Sequence, residues 1–293
     1  MDSVYKYGYC HRYRPGKDLT TNTGEPDPLE QQKWSNGWTQ NWCPSDNREN
    51  WENRKHLSER QGWTDNNVRY RHNQWGFRHT GDFVENRNSI VFLGCSLTYG
   101  IGVNYEQTWP YYVSKELGLD CINLAQPGTA INASYRVAKY WLPIIKPKAV
   151  MFYVPDHHRR ELWPNPDCGG GEDQYADSVK SIGHWHSKDG PDSKYFEYWN
   201  MVISKRETDI WRKGQMDAMN WICKDTKYFH FPVRQQTVGR IVEFDLKTQS
   251  IEFDGNHEPD TDYATNARDM IHPGPVIHRE NIAPLFIKAY NES

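Results

Sequence analysis

The sequence predicts an α/β fold in three layers, a doubly wound parallel sheet with helices on both faces. Three observations predict it. Ser89–Leu93 (SIVFL), Cys121–Ala125 (CINLA) and Ala149–Val154 (AVMFYV) are short, continuous apolar runs, the pattern of strands buried on both faces. The segments between them carry apolar residues at helical spacing. The links are short, and strand–helix–strand repeats of this kind give a parallel sheet with right-handed crossovers.

The elements follow in order. The first run ends at Gly94. Thr108 stands where an N-cap belongs, ahead of Trp109, Tyr112, Val113 and Leu117 on one helical face, and Gly118 marks the stop. Cys121–Ala125 is the second strand. Ala130–Leu142 predicts the second helix, with Ile131, Tyr135, Ala138 and Leu142 at helical spacing. Ala149–Val154 is the third strand. Residues 155–195 are polar, contain Gly169-Gly170-Gly171 and show no period. They read as an insertion at the sheet edge, of the kind that supplies lids or binding loops. The glycine run lacks a following Lys-Ser/Thr and so is no phosphate loop. Tyr198–Cys223 predicts a helix, Lys227–Phe231 a fourth strand, Ile241–Phe253 a small hairpin and Pro273–Tyr290 a closing helix.

Residues 1–88 differ in composition from the domain expected over 89–293. They hold Trp34, Trp38, Trp42, Trp51, Trp63 and Trp75, six of the 13 tryptophans, among Asn, Gln, Arg and Asp. Trp34, Trp38 and Trp42 recur every four residues, as on a helix face, but Gly37 and Pro44 interrupt the pattern. The expectation is a loop-rich region whose tryptophans pin it to the main domain. Exposed tryptophans stacking on sugar rings are the other reading.

Composition narrows the function. Mean hydropathy is -0.93 although charged residues make up only 25% of the 293. The polarity comes instead from Asn, Gln, His, Tyr and Trp, and a 14% aromatic share argues against a wholly disordered chain. A net charge of -3 gives no electrostatic reason to bind nucleic acid or an anionic membrane. Met1–Tyr13 has no apolar core of a signal peptide, and no apolar run approaches membrane-spanning length. The six cysteines are scattered, with no CxxC pair. The expectation is a protein of the cytoplasm or of a virion. Asp156-His157-His158, His184-x-His186 and His257 lack the spacing of a zinc motif, so neither a metal nor another cofactor is expected.

The chemistry concentrates in two places. Gly94-Cys95-Ser96-Leu97-Thr98-Tyr99-Gly100 directly follows the first strand, and ligands in doubly wound folds bind outside the carboxyl ends of the strands. A serine hydroxyl there needs a base to take its proton. Asp269-Met270-Ile271-His272-Pro273-Gly274, ahead of the closing helix, offers one, with Asp269 placed to orient the ring of His272.

These blocks resemble those of the SGNH (GDSL) hydrolases, serine esterases on a flavodoxin-like three-layer sheet. Gly94–Gly100 is similar to GDSxTxG, Asn123–Gly128 to Asn-x-x-x-x-Gly, and Asp269–Pro273 to DxxHP. Asn73–Arg78 (NQWGFR) is similar to a phrase that precedes the first strand in many members. The resemblance covers residues 73–154 and 225–290. It implies Ser96 as nucleophile, His272 as base and later acid, Asp269 as orienter, and the backbone N–H groups of Ser96 and Gly128 as oxyanion donors. Two departures stand out. Cys95 replaces the Asp of GDS, and could itself be a reactive thiol. The third block, GxND, reads Tyr153-Val154-Pro155-Asp156-His157-His158, without the asparagine that completes the oxyanion hole. His157, His158 and Asn132 are the candidate replacements, His157 first among them. His157, His158 and Arg159 are expected at the mouth of the site, where Arg159-Arg160 would meet an anionic substrate or form a solvated charged pair. The implied reaction removes a short acyl group such as acetyl from a small molecule or glycan. A non-catalytic carbohydrate-binding or virion protein on the same scaffold is the alternative.

Overall fold

The computed structural model describes residues 38–43, 45–79, 81–155, 159–162, 180–183, 193, 197, 201, 204–232, 241–245, 250–254 and 266–293. Strand β1 (Trp38–Gln40) leads to helix α1 (Arg48–Arg60) and strand β2 (Tyr70–His72). The repeating part follows as β3 (Ser89–Gly94), a single helical turn α2 (Ser96–Tyr99), α3 (Trp109–Leu117), β4 (Asp120–Asn123), α4 (Ile131–Ile145) and β5 (Ala149–Val154). Beyond it lie β6 (Arg160–Leu162), β7 (Lys180–Ile182), α5 (Lys205–Ile222), β8 (Lys227–Pro232), β9 (Ile241–Asp245), β10 (Ser250–Asp254) and α6 (Ala283–Asn291).

The central sheet runs β4-β3-β5-β8, all parallel. Counted in chain order those strands stand 2-1-3-4, the flavodoxin-like arrangement, whose switch point falls between β3 and β5. Alternation along the strands makes two cores. Val91, Leu93, Val150 and Phe152 face one, which they share with Val137 and Trp141 of α4 and Met219 of α5. Ile90, Phe92, Met151 and Tyr153 face the other, with Trp109 and Val113 of α3 and Phe286 of α6. There the Trp109 and Phe286 rings stack with centroids 4.2 Å apart. The architecture is therefore three-layer α/β/α.

Local chemistry sets the ends of the elements. Thr108 caps α3 by accepting from the Tyr111 N–H, and Gly118 stops it. Strand β4 ends at Asn123, two residues earlier than the apolar run suggests, because the Asn123 side chain takes the Ala125 N–H at 3.0 Å and turns the chain. The fifth helix begins after Ser204, whose hydroxyl accepts from Glu207 N; Tyr198, where the sequence places its start, lies outside the described residues. The hairpin forms as β9 and β10.

The described part of the N-terminal region carries a short strand pair and one helix between longer loops. Trp38 lies in β1, paired antiparallel with β2, so the four-residue tryptophan spacing is not a helical face; Trp34 lies outside the described residues. The helix comes later, at Arg48–Arg60, capped by the Asn47 side chain accepting from Asn50 N at 2.8 Å. Its only large apolar residues are Trp51 and Leu57, which is why no apolar period announced it. Trp42, Trp51 and Trp63 are buried in the first core and present no face for a sugar.

Candidate active site

Strand β3 delivers Ser96 to the carboxyl end of the sheet beside the switch point. Gly94 makes the turn possible. Its φ is +150°, and a Cβ there would stand 2.9 Å from the Tyr153 carbonyl oxygen of β5. Ser96 opens α2, its carbonyl accepting from Gly100 N at 2.8 Å and Ile101 N at 3.3 Å. Its hydroxyl donates to Cys95 Sγ at 4.0 Å and makes no hydrogen bond to His272. Cys95 is 2% exposed, so its thiol is not presented to a ligand as a reactive one would be.

The loop after β4 folds against this turn. Asn123 donates to the Thr98 carbonyl at 2.9 Å. Gln126 N and Thr129 Oγ1 both donate to the Gly94 carbonyl, at 3.2 and 3.4 Å. Gly128 is therefore held near Ser96, and the backbone N–H groups of both residues donate to no acceptor among the described residues. Gln126 is buried, and its Nε2 has no hydrogen-bond partner among them.

The Asp269–His272 pair forms on a closed turn. Ala267 N donates to His272 O and Met270 N to Ala267 O, each at 2.8 Å. Met270 sits at φ +57°, a strained conformation for a residue with a side chain. Asp269 Oδ1 accepts from the N–H groups of Ile271 and His272, each at 3.0 Å. Its Oδ2 meets His272 Nδ1 at 2.6 Å and accepts from Ser45 Oγ at 3.0 Å. Burial alone would raise the Asp269 pKa. The His272 charge and the hydrogen bonds from His272 and Ile271 outweigh it and hold the carboxyl below its ordinary value. His272 Nε2 is left without a partner among the described residues.

Two sets of contacts bring this turn to the end of the sheet that carries Ser96. Arg268 N donates to Gly102 O at 2.9 Å, six residues beyond Ser96. Arg78, fully buried, donates to the carbonyls of Tyr99, Gly100 and Val103 and so braces the same loop from the NQWGFR phrase. Gly102 has φ +75°, and a Cβ on it would stand 2.6 Å from Ala267 Cβ and 2.9 Å from Arg268 N. Gly102→Ala is therefore expected to push the Asp269–His272 turn off its seat. The cost should be about 1–3 kcal/mol, the range for overpacking, read as a lower thermal midpoint together with lost turnover.

Residues 45–63 complete the seat. Arg54 Nη1 donates to Asp269 O at 2.9 Å, Ser58 Oγ to Arg268 O at 3.0 Å and Trp63 Nε1 to Asn266 O at 3.0 Å. Asp46 and Arg268 form a buried ion pair at 2.8 Å, 1% and 0% exposed, with the guanidinium 4.1 Å from the Trp42 ring centroid. Sequence reading missed these residues because more than 200 positions separate the partners and no local pattern links them.

Beyond β5 the structure corrects two expectations. Asn132 is no free oxyanion donor, since its amide exchanges hydrogen bonds with the Glu161 backbone at 2.9 and 3.1 Å. Arg159 and Arg160 are not a solvated pair, being 5% and 7% exposed. Arg160 bonds Glu207 at 2.9 Å and lies 3.7 Å from the Trp211 ring centroid. His157, His158, His184, His186, His257 and Gly169–Gly171 lie outside the described residues. No helix among the described residues is long and apolar enough to cross a membrane.

No family model and no curated protein matches the chain. Among solved structures it is similar to a protein described as lipolytic, of the G-D-S-L family, from Desulfitobacterium hafniense DCB-2. The identity is 10% and the TM-score 0.31, over 69% of this chain and 98% of that one. It is also similar to a carbohydrate esterase family 2 enzyme with a carbohydrate-binding domain from Corynascus thermopiles (Myceliophthora fergusii). There the identity is 13% and the TM-score 0.35, over 73% of this chain and 68% of that one. An acetyl xylan esterase from the rumen bacterium Butyrivibrio proteoclasticus is similar at 13% identity and a TM-score of 0.33, over 73% and 66%. Likenesses this remote leave the chemistry to be argued from the site.

Proposed function

We propose that the chain is a serine ester hydrolase acting through Ser96, His272 and Asp269. One observation carries the reading. A buried carboxylate holds His272 Nδ1 at 2.6 Å on a turn seated against the loop that follows Ser96. That contact fixes the tautomer with the proton on Nδ1 and leaves Nε2 as the base.

In the proposed cycle Ser96 Oγ attacks the acyl carbon while His272 Nε2 takes its proton. The backbone N–H groups of Ser96 and Gly128 receive the developing oxyanion. His272 returns the proton to the leaving alcohol, and an acyl-Ser96 ester remains. Water, deprotonated by His272, then releases the acid and restores the serine. Ser96 and His272 are not hydrogen-bonded in this structure, and the cycle requires that contact to tighten when substrate enters, as it does in many enzymes. Asp269 stays ionised throughout and stabilises the imidazolium. The substrate we propose is a short acyl ester, such as an acetyl group, on a small molecule or glycan. The absence of an aliphatic stretch for a long chain and the wealth of Tyr and Trp support it.

The two backbone donors need a third in place of the missing asparagine. His157, which lies outside the described residues, is our candidate; the Gln126 amide nitrogen beside the Ser96 turn is unpaired but buried, so it is not presented to a substrate oxyanion. His157→Ala is expected to lower kcat about 10²–10³-fold, with Gln126→Ala close to wild type. The reverse pattern in the same rate measurement would give the role to Gln126.

A fluorophosphonate probe tests the reading itself. Intact-mass and peptide analysis should find it on Ser96, and p-nitrophenyl acetate should be turned over. The absence of both would favour a non-catalytic binding or virion role, the reading to which the lost asparagine points.

A further inference from the structure

We infer that Ser45 is a positioning residue for this site, holding the Asp269 carboxylate from the N-terminal segment. The inference rests on the proposed hydrolase reading. Its ground is the accounting of the Asp269 oxygens. Oδ1 is held by two backbone N–H groups of its own turn. Oδ2 is shared between His272 Nδ1 at 2.6 Å and the Ser45 hydroxyl at 3.0 Å. Ser45 is thus the one side chain from outside the turn that bonds the carboxylate among the described residues, and it shares the oxygen that orients the imidazole.

Ser45 is itself fixed. Its carbonyl accepts from Asn50 Nδ2 of α1 at 2.8 Å. The next residue, Asp46, is paired with Arg268, the residue before Asp269. Consecutive residues of one segment therefore grip consecutive residues of the other, which fixes where the hydroxyl points. Tyr70 extends the grip, donating to Asp46 Oδ2 at 2.5 Å and accepting from Gly102 N at 2.6 Å.

A donor on Oδ2 has two consequences. It limits rotation of the carboxylate, and hence of the ring. It also draws charge from the oxygen that stabilises the imidazolium. The other charges facing the pair are Arg54 on the Asp269 carbonyl and Asp46 opposed by Arg268; the His278 ring, its pKa pushed down to about 3 by burial, is neutral. None of these changes when Ser45 is altered. Without the hydroxyl, Oδ2 belongs to His272 alone, and neither the carboxylate nor the ring is held by a side chain from outside the turn.

Ser45→Ala in the full chain should lower kcat about tenfold with KM unchanged. Ser45→Thr should restore the rate, and Ser45→Cys, a weaker donor, should fall between. A second readout needs no turnover: the downfield proton resonance of His272 Nδ1–H should shift in Ser45→Ala and return in Ser45→Thr. A folded Ser45→Ala with wild-type rate and resonance would overturn the inference. So would a Ser45→Cys variant identical to wild type, should the alanine variant fail to fold. If wild type neither labels at Ser96 nor turns over, the hydrolase reading fails while the resonance still decides whether Ser45 tunes the pair.

Discussion

Ser96→Ala is expected to abolish ester hydrolysis and fluorophosphonate labelling while leaving the thermal midpoint in place. The two halves of that result come from different parts of the structure. Stability should hold because the hydroxyl contributes little to it. Its hydrogen bond reaches only a thiol, at 4.0 Å, and the turn is built from backbone contacts that alanine keeps. Activity should fall by about 10⁴-fold or more, because the attacking atom is gone and only binding and the oxyanion donors remain. Cys95 cannot stand in for it, buried as it is behind the turn. Turnover of p-nitrophenyl acetate at the wild-type rate in Ser96→Ala would remove the serine from the mechanism. A large drop in the thermal midpoint would instead show that the hydroxyl matters to the fold.

The sheet was legible because parallel strands covered on both faces must be apolar throughout. Ala149–Val154 reads the same in the sequence and in β5 for that reason. The two halves of the proposed site stood out in the sequence for a different reason, since Ser96 follows a strand and Asp269–His272 is a local turn with its own hydrogen bonds. What stayed hidden is held by long-range polar contacts. Helix α1 has only Trp51 and Leu57 as large apolar residues, and its place is set by Arg54 and Ser58 bonding the Asp269 turn, so propensity and period had nothing to report. The interrupted tryptophan spacing marked no helix, because Trp38 belongs to a strand pair whose partner begins 32 residues later, at Tyr70. Asn132 misled because a free-looking amide beside the site is bonded on both ends to Glu161.

Arg268→Met is expected to cost about 3–5 kcal/mol, the range for removing one partner of a buried ion pair. The guanidinium is wholly buried. It bonds both oxygens of Asp46 through Nε at 3.0 and 3.2 Å, reaches one of them again through Nη2 at 2.8 Å, and donates to the carbonyls of Asp65 and Asn41. Burial already raises the Asp46 pKa, and the hydrogen bonds and charge of Arg268 are the principal forces opposing it. Without them the carboxyl rises further above its unfolded value, so the variant binds a proton on folding and is relatively more stable at low pH. Its deficit against wild type should therefore shrink as the pH falls through the raised Asp46 value, which denaturant titrations across pH 4–7 would read. Adding Asp46→Leu should recover part of the loss, because no unpaired charge is then buried. Recovery should be incomplete, because Tyr70 loses its acceptor and the Asp65 and Asn41 carbonyls lose their donor. A single variant within about 1 kcal/mol of wild type would show that the pair contributes no more than a surface one. The same loss should reach the site. Arg268 adjoins Asp269 in the chain, so the variant should lose turnover even at temperatures where it stays folded, and restoring the global stability by other substitutions should not restore the rate.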